Sequence, residues 1–163
     1  MIRHVRLSDA QAIAEIYNYY IKDTAVSFEY IPLTVDQMTE RIRKINQDYP
    51  YIVWEEGGQI LGYAYVARWK ERKAYDFAVE SSIYLHKDHG GKGIGKQLYA
   101  ELIKLSFEED IHSIIAGIAL PNEGSIALHK SFGFRKVGAF EEVGWKFNQW
   151  HSVEYWELIN RKT

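Results

Sequence analysis

The stretch HGGKGIGKQLY, residues 89–99, contains four glycines among basic residues and leads directly into an amphipathic run. A glycine-rich loop before a helix exposes backbone N–H groups, and these groups bind anions with the help of the helix dipole. Apolar residues then recur at helical spacing, at Ile94, Leu98, Leu102 and Leu105, and this predicts a helix with one buried face. The stretch therefore predicts a phosphate-binding loop that joins a strand to a helix.

Two common phosphate loops fit this stretch poorly. Gly90 to Lys96 satisfies G-x-x-x-x-G-K, but P-loop nucleotide hydrolases need a Ser or Thr hydroxyl for Mg²⁺ at the next position, where this chain has Gln97. The dinucleotide fingerprint G-x-G-x-x-G cannot be completed from Gly91 or from Gly93, because a lysine or a leucine stands where the last glycine belongs. A different phosphate-containing ligand is therefore favoured.

The composition is typical of a globular protein, and we expect residues 1–163 to form a single α/β domain. The formal net charge of -2 disfavours a nucleic-acid partner. The absence of cysteine excludes disulfides, a cysteine nucleophile and thiolate metal sites. The first ten residues lack the apolar segment of a signal peptide, and no apolar run is long enough to span a bilayer. These features predict a cytoplasmic protein without a membrane partner.

Hydrophobic periodicity predicts alternating strands and helices along the chain. The first helix follows Ser8-Asp9, and the second follows Thr34, both of which are favourable N-cap residues. The predicted strands cover 2–7, 51–55, 59–69, 79–86 and 113–120, with one or two more up to 158, and the predicted helices include 35–45 and 125–132. The apolar segment 113–120 is expected to be a central strand with both faces covered.

The loop and its preceding strand, Ser82 to Leu85, resemble the acetyl-CoA motif of the GNAT N-acetyltransferases. That motif reads Q/R-x-x-G-x-G/A, and Gly93 and Gly95 supply its glycines. Gly90 stands where Gln or Arg is usual, so backbone amides must carry more of the pyrophosphate binding.

The resemblance extends over residues 2–158. Within the family, the sequence is similar to the branch that acetylates phosphinothricin and methionine sulfoximine. The supporting segments are Trp69–Ser82, Leu120-Pro121-Asn122, His129, Gly133-Phe134 and Asn148–His151. It implies a mixed, mostly antiparallel twisted sheet flanked by helices, in which two central parallel strands splay apart. It also implies a homodimer.

The resemblance implies a role for each of several residues in binding acetyl-CoA and in catalysis. Glu80 is expected to be the general base, acting directly or through water, and His129 to donate a proton to the coenzyme A sulfur. A backbone N–H near Tyr84 or Leu85 would polarise the thioester carbonyl. The predicted cofactor contacts are the main chain of Ile83, Tyr84 and Leu85, the loop residues Gly91, Lys92, Gly93, Ile94, Gly95 and Lys96, and Asn122.

The acceptor pocket is predicted to combine aromatic walls with cations that bind a carboxylate or phosphinate. Its predicted residues are Phe28, Trp69, Lys70, Arg72, Tyr75, Trp150 and His151. The same aromatic residues would also suit a core or a dimer contact, and the same cations a solvated loop. His86 and His89 are three residues apart, but no carboxylate pattern completes a metal site, so no metal is expected.

The resemblance implies an acetyl-CoA-dependent N-acetyltransferase that acts on the α-amino group of methionine sulfoximine, methionine sulfone or phosphinothricin, and so a detoxifying activity. Without a cysteine or an activated serine, transfer is expected to be direct. Two alternatives stay open. One is a GNAT enzyme for a polyamine, another amino acid or a protein N-terminus, and the other is a non-catalytic acyl-CoA-binding sensor.

Overall fold

The computed structural model describes residues 1–162 and has the alternating α/β order that the sequence predicts. The predicted elements are present, with ends that differ by at most three residues from those observed. The helices are α1 (Ala10–Asp23), α2 (Val35–Asn46), α3 (Ile94–Glu108) and α4 (Glu123–Ser131). The strands are β1 (Ile2–His4), β2 (Tyr51–Glu56), β3 (Gln59–Arg68), β4 (Ala78–Leu85), β5 (Ser113–Ala119), β6 (Arg135–Lys146) and β7 (Gln149–Ile159).

The strands form one sheet in the order β1-β2-β3-β4-β5-β7-β6. All neighbouring strands are antiparallel except β4 and β5, which are parallel. This parallel pairing covers only Ala78–Glu80 against Ser113–Ile115, and beyond it β4 and β5 do not pair with each other. The predicted fold class is confirmed, including the central parallel strands that splay apart.

Helices cover both faces of the sheet. On one face α3 buries Leu98, Tyr99 and Leu102 against apolar residues of β2 to β5. On the other face α1 and α2 bury residues such as Ile13 and Ile42 against the tyrosine-rich faces of β2 and β3. Burial of this apolar area is the main force that holds the layers together, and it fixes β4 in the centre of the molecule.

The chain enters α1 through a short 3-10 turn at Leu7–Asp9, so β1 ends at His4 and not at Leu7 as the sequence predicts. The buried Asp9 carboxylate accepts hydrogen bonds from the Arg6 amide at 2.7 Å and from two nitrogens of Arg3, at 2.8 and 2.9 Å. These bonds satisfy a backbone donor at the helix start and connect β1 to α1.

The prediction that both faces of β5 are covered is wrong in one respect. Ile114, Ala116 and Ile118 are buried, but Gly117 is exposed. Alternate residues of a strand face opposite sides of a sheet, and Gly117 faces an open cavity rather than a helix. Within residues 1–162, no helix is both long and apolar enough to cross a membrane.

Candidate active site

A cavity of about 1240 Å³ lies where β4 and β5 separate. His86 N–H donates to Leu61 O at 2.8 Å, and hydrogen-bonded pairs alternate along an antiparallel ladder. The register between β3 and β4 therefore directs the N–H and C=O of Tyr84 toward β3, and those of Ile83 and Leu85 toward the cavity. The cavity thus has a wall of backbone groups that face away from β3, and a polar, extended ligand can bind them as an additional strand. The Leu85 carbonyl is the exception, because it already accepts a hydrogen bond from the Tyr20 hydroxyl.

The glycine loop forms the end of the cavity that follows β4. Gly91 and Gly93 have φ values of 77°, in the left-handed region that side chains disfavour. Gly93 is the N-cap of α3 and provides no side chain to satisfy the first N–H groups of that helix. Free N–H groups at a helix N-terminus, next to Lys96 in the cavity wall, are able to bind an anion.

Three further residues of this segment, Lys92, Ile94 and Gly95, differ in position. A Cβ on Gly95 would lie 3.3 Å from Leu85 Cδ1, so glycine allows the helix to pack closely on β4. Ile94 has its side chain in the hydrophobic core, and neither Ile94 nor Lys92 lines the cavity. A contact from Ile94 to a bound phosphate would therefore use the main chain.

Asn122 has a structural role as well as a position in the cavity wall. Its Oδ1 accepts a hydrogen bond from the Ser125 N–H at 3.1 Å and caps α4. Because the oxygen is used by the cap, the amide NH₂ of Asn122 is the group left to bind a ligand.

Glu80 is half-buried in the cavity, at the last residue pair that joins β4 to β5. Its carboxylate lies 3.8 Å from where a Gly117 Cβ would be, beside the Tyr155 ring. Burial raises the pKa of Glu80, and the nearby charge of Lys70 lowers it in part. A carboxylate with a raised pKa is better able to accept a proton and release it again near neutral pH.

His129 is buried beside the cavity and has a defined tautomer. Its Nδ1 lies 2.6 Å from the Ser125 carbonyl oxygen, which can only accept, so Nδ1 carries the hydrogen. Burial lowers the pKa of His129. The neutral ring therefore presents an unprotonated Nε2, and donation of a proton from Nε2 requires the imidazolium form.

The acceptor end is the part of the cavity around Glu80. Of the predicted acceptor residues, Phe28 lines the cavity. Trp69 and Lys70 lie at its edge, because the Trp69 ring is 5.9 Å from that of Tyr155 and Lys70 Nζ is 5.0 Å from the Trp69 ring.

The other predicted acceptor residues lie outside the cavity of this chain. Arg72 and Tyr75 are exposed in the loop before β4. Trp150 is exposed and packs on Trp145, with ring centroids 4.9 Å apart. His151 is buried, and its Nε2 donates to the Lys146 carbonyl at 2.9 Å. The alternation of side chains along β7 explains why Trp150 and His151 face opposite sides.

A second carboxylate, Glu29, also lines the cavity and was not predicted. Arg41 donates to both Glu29 oxygens, at 2.9 and 2.5 Å, and the Tyr17 hydroxyl donates to one of them. Hydrogen bonding from Arg41 lowers the pKa of Glu29, so this carboxylate is ionised at neutral pH. Sequence spacing gives no sign of it, because a loop and two helices bring these residues together.

The cavity also contains residues from β7, α1 and the end of β6 that the sequence pattern did not single out. Tyr17 and Tyr20, three residues apart on one face of α1, were detectable as a pair of polar-tipped aromatic residues. The Tyr20 hydroxyl donates to the Leu85 carbonyl at 2.5 Å. The lining residues that were missed include Tyr17, Tyr20, Val143, Val153 and Tyr155, and also Ser27 and Glu29 from the loop after α1. Within residues 1–162, no group of three or more histidine or acidic side chains is arranged to hold a metal ion.

Comparison with known proteins identifies relatives of this fold and site. Residues 2–153 match the family described as "Acetyltransferase (GNAT) domain". The phosphinothricin N-acetyltransferase of Streptomyces viridochromogenes is 35% identical over 96% of this chain and 85% of its own. The L-methionine sulfoximine/L-methionine sulfone acetyltransferase of Salmonella typhimurium is 34% identical over 96% of this chain and 92% of its own. A phosphinothricin acetyltransferase from Sinorhizobium meliloti, solved in complex with acetyl-CoA, has a TM-score of 0.94 and 34% identity, covering 98% of this chain and 87% of that one.

Proposed function

The chain belongs to the GNAT acetyltransferase family, and on this premise we propose that it transfers the acetyl group of acetyl-CoA directly to the α-amino group of a small amino-acid analogue. The proposed acceptors are methionine sulfoximine, methionine sulfone and phosphinothricin, the compounds in the names of its relatives. The observation that carries the proposal is the cavity between β4 and β5, which has an anion-binding loop at one end and the half-buried Glu80 at the other.

Acetyl-CoA supplies an acetyl group activated as a thioester. We assign its pyrophosphate to the N–H groups at the start of α3 and to Lys96. The backbone of Ile83 and the N–H of Leu85 bind the pantetheine arm, because these groups face the cavity while those of Tyr84 face β3. The Leu85 carbonyl is held by Tyr20 and leaves the N–H as the available group.

Glu80 is proposed to accept the proton that the acceptor ammonium must lose before its nitrogen can attack. Its pKa, which burial raises, suits that task, and the nearby charge of Lys70 limits the rise. An N–H from β4 that faces the cavity polarises the thioester carbonyl. His129 protonates the departing sulfur only from its imidazolium form, so this contribution grows as the pH falls.

The acceptor side chain is proposed to lie between Phe28, Val143 and Tyr155, with Lys70 at the rim to attract its acidic group. Glu29, already neutralised by Arg41, does not repel that group strongly. The proposal includes a homodimer, supported by the exposed apolar residues of β6. It also includes a location in the cytoplasm.

Release of coenzyme A, followed with a thiol reagent, tests the proposal. Because the chain has no cysteine, the protein itself gives no background signal. The acceptors are methionine sulfoximine, methionine sulfone, phosphinothricin, lysine, a polyamine and short peptides. We expect saturable turnover with the first three, a loss of at least 100-fold in kcat for Glu80→Gln, and no loss for the exposed control Glu71→Gln.

Three results would contradict the proposal. Turnover confined to the polyamine or the peptides would keep the cofactor site but discard the proposed acceptor. Tight binding of acetyl-CoA without turnover of any amine would favour a sensor. An acetyl group found covalently attached to the protein during turnover would rule out direct transfer.

A further inference from the structure

The wall of the acceptor end is held by contacts between two segments that are distant in sequence. The first is the acceptor strap, residues 24–33, which carries Phe28. The second is the hairpin end, residues 143–151, which joins β6 to β7. Lys146, a buried lysine, donates from Nζ to the Ser27 carbonyl at 2.6 Å, and the Tyr30 hydroxyl donates to the Trp145 carbonyl. These bonds hold the acceptor strap against the hairpin end on both sides of Phe28.

Gly144 lies directly against the Phe28 ring. A Cβ built on Gly144 would be 2.2, 2.6 and 2.8 Å from three ring carbons of Phe28, far inside ordinary contact distance. The backbone of Gly144 is not in the left-handed region, so an alanine there would be free of backbone strain. A side chain at this position must therefore displace the Phe28 ring.

The position of Phe28 determines the shape of the acceptor end. Phe28 and Val143, the neighbour of Gly144, both line the cavity. The Phe28 ring also contacts the His151 ring, at 6.1 Å between centroids, which limits movement in that direction. A methyl group on Gly144 must push the ring from 2.2 Å to at least 3.4 Å, a displacement that is large for a substrate-binding wall.

We infer that Gly144 is a specificity-determining position, because its missing side chain places Phe28 and so sets the width of the acceptor end. This inference rests on the proposed function, since it assigns that end of the cavity to the acceptor. Gly144 acts through Phe28 and is a positioning residue.

Steady-state kinetics with acetyl-CoA and methionine sulfoximine test the inference. We expect Gly144→Ala to raise the KM for methionine sulfoximine about tenfold, while the KM for acetyl-CoA changes by less than about twofold, since the glycine loop lies at the other end of the cavity. Gly138→Ala is the matched control, because Gly138 is in the same strand and a Cβ there meets nothing within 4 Å. The control is expected to leave both KM values unchanged.

Combining Gly144→Ala with Phe28→Ala separates the proposed contact from a general disturbance of the hairpin. Without the ring the added methyl has space, so the double variant should have the same acceptor KM as Phe28→Ala alone. An equal increase in both backgrounds, or a parallel increase in the KM for acetyl-CoA, would overturn the inference.

A urea denaturation series on the same variants gives a readout that needs no turnover. We expect Gly144→Ala to lower the unfolding midpoint in the wild-type background and to leave it unchanged in the Phe28→Ala background. An equal decrease in both backgrounds would overturn the packing argument. A wild-type protein that turns over none of the acceptors would instead overturn the proposed function, and with it the acceptor role of Gly144, whatever the urea series shows.

Discussion

Lys70 controls how readily Glu80 can be protonated. Burial raises the pKa of Glu80, and Lys70 lowers it in part, so removing the lysine charge should raise that pKa further. Because only the ionised carboxylate can accept a proton, the acid limb of the kcat profile should move to higher pH in Lys70→Met. The measurement is kcat for methionine sulfoximine at pH values within about two units of neutral, for the wild type and for Lys70→Met.

Lys73→Met is the control for this prediction. Lys73 belongs to the same exposed loop segment, and its charge does not affect the pKa of Glu80. Its acid limb should therefore coincide with that of the wild type. An unshifted limb in Lys70→Met, or the same shift in both variants, would exclude the proposed coupling between Lys70 and Glu80.

At the scale of elements, the unpaired backbone of β4 predicts a pattern of hydrogen exchange. The amides of Ile83 and Leu85 face the cavity, whereas that of Tyr84 faces β3. We expect saturating acetyl-CoA to slow exchange at Ile83 and Leu85 at least tenfold relative to its effect at Tyr84. Residue-resolved hydrogen exchange by NMR measures this difference. Equal protection of all three amides would contradict the proposed strand-like binding of the pantetheine arm.

The connection between β1 and α1 predicts a pH-dependent stability. Burial alone would raise the pKa of Asp9, but hydrogen bonds from Arg3 and from the Arg6 amide outweigh it and lower that pKa. A lowered pKa stabilises the fold above the ordinary value of 3.8, and this contribution is lost as the pH falls through the lower folded value. Asp9→Asn should therefore lower the free energy of unfolding by about 2 kcal/mol at pH 7.

Urea denaturation at pH 7 and in acid measures this effect. The difference between Asp9→Asn and the wild type should shrink as the pH falls below 3.8. Glu40→Gln is the control, because Glu40 forms an exposed pair with Arg43 and should cost less than about 0.5 kcal/mol. A constant deficit at every pH would show that the Asp9 charge is not responsible.

Elements were predictable where the sequence encodes them locally. The glycine-rich loop before α3 and the Thr34 cap of α2 are short-range signals, and both helices begin where predicted. The acceptor end was less predictable, because Glu29 and Tyr155 reach it through long-range contacts that leave no spacing pattern. The position of Trp150 outside the cavity of this chain was not predictable, since an exposed aromatic residue on a strand has the same sequence pattern as one that faces a pocket.

At the scale of the whole molecule, β6 is an edge strand with an unusual surface. Exposed apolar residues occur along it and the adjoining turn, and edge strands of this kind normally pair or are covered in solution. The exposed residues are Val137, Phe140, Val143, Trp145, Phe147 and Trp150. A homodimer that covers this surface should have twice the 19.0 kDa mass of one chain.

Sedimentation velocity of substituted chains tests whether this surface forms the dimer. Val137→Asp and Trp150→Asp each place a charge where the partner would bury apolar area, so each should shift the protein toward the monomer, with at least a tenfold weaker dimer. Val35→Asp is the control, since it removes another exposed apolar residue, at the start of α2, where an acidic side chain is favourable. A wild-type protein that sediments as a monomer would rule out the homodimer, and a dimer unaffected by both β6–β7 substitutions would place its interface on another face.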